Sequence, residues 1–419
     1  MVLMVRCSYG SMKSDLENHV LLSLFHWKIF FHESFAGKGM LEIAATQSLK
    51  PELAAKWLVE PSAPQVLLLA CLVCIVFLTA VNLTANFPSL VDNFGDSSAY
   101  MTIASAIRHW KFQGVVVKQF WGLPYLMAAI SILTRISDRT ALLLVSFASS
   151  FAAVMLAYRL WGGWVASFFA VLNFDWMQRS FLGGSEPLFV ALLFGAFLAV
   201  RQERWTLAAV LGALSTVVRP LGVFALVGIG LTLLWRRDFR RFALAATIGL
   251  LIGVLYTLPL AHNFGDPLAT VHSYERPGQS GPHLFGLPFY AIAKGTLLYP
   301  APWTNLVLTF GWIFFVLAGT LAMAAAKNFR RYGRDHPVEI IFAALYLISI
   351  YTYNYPYWAR GNFARFAIPV IPFALIALQR WIPRDRRLLL GIGLVSPVLA
   401  AASAIGIKNA IDILHSALG

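Results

Sequence analysis

The chain has 419 residues, of which 59% are hydrophobic and 12% charged, with a mean hydropathy of +0.69. A water-soluble fold of this size cannot hide that much apolar surface, so the solvent for most of the chain is a bilayer. The formal charge of +14 does not point to nucleic acid, because Lys and Arg sit in short turns between apolar runs instead of forming one basic face; that is a topology signal.

Residues 1 to 60 are mixed and polar, with an aromatic run from Trp27 to Phe31 too brief to span a membrane. They read as a cytoplasmic segment ahead of the transmembrane domain, residues 61–419. The first long apolar run begins only at Val66, which argues against a cleaved signal peptide. Met40, preceded by Gly37-Lys38-Gly39, is an alternative start.

A transmembrane helix needs about 20 mostly apolar residues. Val66 to Phe87 is the first such run. Further spans are expected at roughly 140–158, 164–177, 186–200, 206–218, 221–235, 242–261, 302–326, 338–353, 363–379 and 388–406, giving an all-α polytopic bundle of about 11 spans. Between the first two lies a large polar and amphipathic loop, Pro88 to Arg139. With a cytoplasmic N-terminus, Arg159, Arg201, Arg204, the Arg236–Arg241 cluster, the Lys327–Arg334 cluster and the Arg380–Arg387 cluster all fall on the cytoplasmic side, as the positive-inside bias requires. The apolar stretch Gly122–Ile136 must then return without crossing, as a juxtamembrane or re-entrant helix. The same parity demands a hairpin at Arg219-Pro220, where proline disfavours a continuous helix.

No phosphate-cradling glycine loop, zinc-protease motif, nucleophile elbow or dinucleotide fingerprint is present. Cys71 and Cys74 lie in an apolar helix without acidic or histidine neighbours and read as packing. Polar groups gather instead in three loops on the predicted outer face. The first holds Asp92, Asp96 and Tyr100; Asp96 reads either as a helix N-cap or as a general base. The second is Gly183-Gly184-Ser185-Glu186-Pro187, where Glu186 is either a helix start or a contact for a sugar hydroxyl. The third runs from His262 and Asp266 past His272, Tyr274, Glu275, Arg276 and His283 to Tyr299. Its acids and histidines lack metal-ligand spacing and read better as a substrate-lining loop, so no cofactor is assigned and a divalent cation is left open. Arg219, Arg360 and Arg365 lie at membrane depth, where an ionisable group needs a partner or marks a pathway. The guanidinium fork suits a phosphate.

Taken in order, Asp96-Ser97-Ser98-Ala99-Tyr100, Gly122-Leu123-Pro124-Tyr125, Ala157-Tyr158-Arg159-Leu160 and Ser185-Glu186-Pro187-Leu188-Phe189 resemble the C-type integral membrane glycosyltransferases (GT-C). So do Val218-Arg219-Pro220-Leu221-Gly222, Gly265-Asp266-Pro267-Leu268 and Ala364-Arg365-Phe366-Ala367-Ile368-Pro369. Within them the pattern is similar to bacterial proteins related to GPI mannosyltransferase II. Two departures are visible: Gly95-Asp96 stands where relatives carry paired acids or Trp-Asp, and Gly122-Leu123-Pro124 where some carry His-Pro-Pro or Lys-Pro-Pro.

The resemblance implies an inverting transfer of a sugar, mannose by the nearest pattern, from a polyprenyl-phosphate donor to a lipid or glycan acceptor. It implies Asp96 as the catalytic carboxylate, and Arg219 and Arg365 as contacts for the donor phosphate. The setting it implies is a bacterial inner membrane with the site facing the periplasm or exterior. The competing expectation is a transporter or lipid flippase.

Overall fold

The computed structural model describes residues 59–115, 117–274, 283–298 and 303–418. The N-terminal segment with its alternative start therefore lies outside the described residues, as do Glu275 and Arg276. Clustering of backbone contacts separates Met1–Val59 from Glu60–Gly419, and the second unit carries everything below.

It is built from helices, with one isolated bridge between Phe285 and Tyr353 among the described residues. In chain order they are α1 Ala63–Thr84, α2 Phe87–Asn93, α3 Ser97–His109, α4 Gly122–Thr134, α5 Asp138–Trp161, α6 Gly163–Leu172 and α7 Phe174–Leu182. Next come α8 Glu186–Arg201, α9 Trp205–Val218, α10 Val223–Trp235, α11 Phe239–Phe264, α12 Ala269–His272 and α13 Tyr290–Leu298. The last are α14 Trp303–Ala325, α15 Lys327–Asp335, α16 Pro337–Thr352, α17 Pro356–Gly361, α18 Phe363–Ala367, α19 Ile371–Ala377 and α20 Arg386–Leu418.

Local chemistry sets the breaks. Ser62 opens α1 by donating its backbone N–H to Gln65 Oε1 at 3.0 Å, Ser137 Oγ accepts the Thr140 amide at 3.2 Å to open α5, and Asp238 accepts that of Arg241 at 3.0 Å to open α11. The packed core joins Phe77, Phe169, Phe189, Phe194, Phe197, Phe342 and Phe373, all fully buried. α5 lies against α8, α8 against α9, α1 against α20 and α10 against α16.

Side-chain bonds fix two ends of the bundle. At one end Arg201 donates to the Leu160 carbonyl and pairs with Glu339 at 2.7 Å, and Arg236 pairs with Glu203 at 3.1 Å. Glu60 there accepts the Gly163 amide at 2.7 Å, and its carbonyl accepts from Arg386. The loops carrying Arg159, Arg201, Arg204, Arg236, Arg330 and Arg386 thus share this arginine-rich end, as the charge pattern predicts. At the opposite end the start of α5 is tied to the first loop by Arg108–Asp138 at 3.1 Å and by Arg139–Asp92. Since α1 leaves the arginine-rich end and α5 returns to it, α2 to α4 make no net crossing. At 13 residues, α4 is roughly 20 Å long, short of the ~30 Å hydrocarbon core. The expected hairpin is present too: Arg219 is extended (φ −147°, ψ 132°) between α9 and a 3-10 turn at Pro220–Gly222.

Each of the eleven expected apolar segments is mostly helical among the described residues, but few of the helices are long. Four helices among the described residues, α1, α5, α11 and Arg386–Gly406 of α20, have the length and apolar character to cross a membrane. Two bent pairs, Phe174–Leu182 with Glu186–Arg201 (106°) and Thr309–Ala325 with Phe329–Asp335 (77°), bring the number to as many as six where each pair is counted as one broken span. The chain is a multi-pass membrane protein in which short helices pack between longer ones. One expectation needs correcting: 164–177 is not a single span. Asn173 breaks it, its side chain accepting the Trp176 amide at 2.8 Å to start α7 while donating to the Ala364 carbonyl at 3.0 Å.

α8 and α9 hold 16 and 14 residues, roughly 24 and 21 Å at 1.5 Å per residue. Both start or finish at the arginine-rich end, so each helix carrying Glu186 or Arg219 at its other end is shorter than a ~30 Å hydrocarbon core.

Candidate active site

Six helices, α3, α5, α7, α8, α9 and α18, converge around those helix ends. The Gly183-Gly184-Ser185 corner, with Gly183 at φ +97°, is held by Ser146 Oγ, which accepts the Gly184 amide at 3.2 Å. Ser97 Oγ donates to the Gly183 carbonyl at 3.3 Å, and Tyr100 donates its phenol to Ser185 Oγ at 3.0 Å. The corner delivers Glu186, which is 2% exposed, onto two guanidiniums: Arg219 Nη1 and Arg365 Nε both donate to its Oε1. Its Oε2 is buried without a hydrogen bond. Arg365 also donates from Nη2 to Asp96 Oδ2 at 2.8 Å. Residues 96, 186, 219 and 365, scattered through the sequence, therefore form one ionic chain.

Asp96 occupies the N-cap position of α3 but caps nothing with its side chain. About 31% of that side chain remains exposed, so the carboxylate is open as well as paired. Burial opposes its ionisation, yet Arg365 and then Arg179 outweigh burial and hold its carboxyl below the usual aspartate range.

Arg179, on α7, is the member the sequence reading missed. It is 7% exposed, its guanidinium lies 4.5 Å from the Phe94 ring centre, and neither Nε nor Nη1 has a hydrogen-bond partner. A buried guanidinium with two idle donors is costly and calls for an anion. Asp175, one helical turn earlier, contributes an opposing charge nearby. Gly95 makes the approach possible: it sits at φ +55°, and a Cβ there would lie 2.1 Å from Arg179 Nη1. The one available sign in the sequence was the spacing of Asp175 and Arg179 by four within an apolar segment, which puts both on one helix face.

Of the other residues singled out from the sequence, Tyr274 lies near the cluster: burial foremost, then the Asp96 charge, raises its phenol, and Lys118 stands 5.7 Å from its ring. Arg360 is buried on α17, which packs against α13. Asp92 is outside the ionic chain, taken up by Arg139. Asp266 pairs with His272 at 2.8 Å on an exposed turn, and His262 is exposed at the end of α11. His283 accepts through its carbonyl from Asn354 at 3.3 Å. No three His, Cys, Asp or Glu side chains among the described residues converge as metal ligands would.

Three carboxylates and three guanidiniums in a recess can bind an anion and hold an ionised base beside it. No family model and no curated protein matches the chain. Among solved structures it is similar to ArnT from Cupriavidus metallidurans, bound to undecaprenyl phosphate (16% identity, TM-score 0.48, 78% of this chain and 62% of that one). It is likewise similar to the same protein in the apo state (16% identity, TM-score 0.47, 77% and 61%). The chain thus spans less than two thirds of the length of the ArnT chains it matches.

Proposed function

We propose that the chain is a glycosyltransferase that moves a sugar from a polyprenyl-phosphate donor to an acceptor hydroxyl on the non-cytoplasmic face of a bacterial inner membrane. The observation that carries this reading is Arg179, buried with two unused donors, beside a carboxylate held ionised by Arg365. The donor's phosphate is the anion that fits: Arg179 meets it with its free Nε and Nη1, while Arg365 and Arg219 approach from the Glu186 side. The acceptor oxygen attacks the anomeric carbon, its proton passes to Asp96, and the carbon–oxygen bond to phosphate breaks with the electron pair leaving on the phosphate oxygen. Arginine charge stabilises that oxygen as the bond opens. Attack opposite the leaving group inverts the anomeric centre.

Sidedness supports the same reading. Cytoplasmic nucleotide sugars do not reach a site opposite the arginine-rich loops, whereas a lipid-linked sugar crosses with its lipid. A transporter would spread ionisable groups along its midspans in both halves; here the buried ones collect at the two ends. The first sugar to test is mannose.

The experiment is transfer of radiolabel from polyprenyl-phospho-[14C]mannose to endogenous lipid or glycan in membranes expressing the full chain. Asp96→Asn should abolish transfer while protein yield holds and the melting point falls only modestly, by the loss of the part-exposed pair with Arg365. Full activity in that variant would remove Asp96 as base.

A further inference from the structure

At the arginine-rich end, with none of the ionic-chain residues in its lining, α10, α14, α15 and α16 form a groove of about 710 Å³. Its walls are apolar, with Met323, Ala343 and Leu347 among them, and its mouth carries Arg236, Arg330 and Arg334. From Pro337 to Leu347, both lining it, the groove follows ten residues of α16, or roughly 15 Å from the mouth toward the bundle's middle.

The mouth is built for an interface. α15 is short and two-faced: Phe329 is 5% exposed and packs inward, while Arg330, Arg331 and Arg334 face out. α14 and α15 meet at a 77° bend, which lays α15 across the end of the bundle as an interfacial helix lies. Trp235, also lining the groove, is 85% exposed at the same level, where aromatic side chains sit between hydrocarbon and water.

Two of the three guanidiniums form no ion pair among the described residues. Arg236 shares Glu203 at 3.1 Å in an exposed pair, Arg330 donates to the Ala324 carbonyl at 3.2 Å, and Arg334 has no ion pair among the described residues. Positive charge at an interfacial mouth over an apolar channel is complementary to one occupant.

We propose that this groove binds an anionic glycerophospholipid from the leaflet at the arginine-rich end, its phosphate on Arg330 and Arg334 and an acyl chain along α16 toward Leu347. The site rests on the groove and its rim alone and is independent of the transfer reaction.

The test is native mass spectrometry of the full chain released from detergent, titrated with dioleoyl phosphatidylglycerol or dioleoyl phosphatidylcholine. The intact protein should retain the anionic lipid in preference to the zwitterionic one. The double variant Arg330→Gln, Arg334→Gln should hold phosphatidylglycerol roughly thirty-fold less tightly, which is about 2 kcal/mol at 1.4 kcal/mol per factor of ten. Leu347→Trp, which fills the channel and leaves the charges, should weaken retention as well. Equal retention of the two lipids by the intact protein would overturn the proposal, as would unchanged affinity in the double variant. Competition by inorganic phosphate alone would reduce the site to an ion site and overturn the lipid assignment. If the double variant fails to fold, Arg334→Gln at its exposed position carries the same comparison.

Discussion

Replacing Glu186 by glutamine removes one charge and almost no volume, at the point where two buried arginines meet. Its Oε1 accepts from both Arg219 and Arg365, whose side chains are 17% and 10% exposed against 3% for the glutamate. Breaking a buried ion pair by removing one partner costs about 3–5 kcal/mol, because the remaining charge is left without compensation. The amide oxygen keeps two hydrogen bonds worth about 1 kcal/mol each, so Glu186→Gln should destabilise by about 1–3 kcal/mol and Glu186→Ala by the full amount.

The same change leaves three guanidiniums facing two carboxylates, which should tighten binding of a lipid phosphate. Thermal unfolding of the full chain in detergent reads both effects. Melting should fall in the order wild type, Glu186→Gln, Glu186→Ala, and added undecaprenyl phosphate should raise the melting point of Glu186→Gln more than that of wild type. A Glu186→Gln protein that melts and binds like wild type would refute the role of Glu186 as neutraliser of the two arginines.

Arg179→Gln should have the opposite effect on binding. The change removes a countercharge from Asp96 and Glu186 together with the free donors, so melting should fall modestly and undecaprenyl phosphate binding drop about tenfold or more; unaltered binding would remove Arg179 from the phosphate site. Gly95→Ala combines a left-handed backbone with an overlap on Arg179. It should cost at least about 1–2 kcal/mol and impair transfer, and a fully active, stable variant would count against the close approach. The depressed pKa of Asp96 means its ion pairing adds stability above the unfolded aspartate range, lost only as pH falls through the lower folded value. An acid melting series should therefore show wild type losing stability at low pH by more than Asp96→Asn does. A cysteine at Arg240 should be labelled only from the side opposite the ionic site, and labelling from both sides would break the two-ended arrangement.

Much of this was readable before any coordinates. The basic loops dictate that Gly122–Thr134 cannot cross, and the packing explains how it stays: a Cβ on Gly122 would stand 2.6 Å from the Val217 carbonyl oxygen, so glycine alone lets α4 seat on the end of α9. Proline after Arg219 announces the hairpin that exposes that arginine to Glu186. Hydropathy fails at α7, because Phe174-Asp175-Trp176-Met177-Gln178-Arg179 straddles the edge of an apolar window. The break depends on Asn173 capping α7 and reaching Ala364, nearly two hundred positions away. Asp96, Glu186, Arg219 and Arg365 are each visible as residues that need partners. Which partner each takes is a tertiary fact, and so Asp92, a near neighbour of Asp96 in sequence, belongs to Arg139 instead.

The shortness of α8 and α9 makes membrane thickness part of the protein's chemistry. On the proposed function, a lipid phosphate at the headgroup plane would have to reach arginines held at the ends of helices of about 21–24 Å, and a dip in the leaflet would bring the two together. Thin, pliable surroundings favour that meeting, and thick, sterol-like or long-chain surroundings oppose it. The bilayer would then tune access to the proposed site.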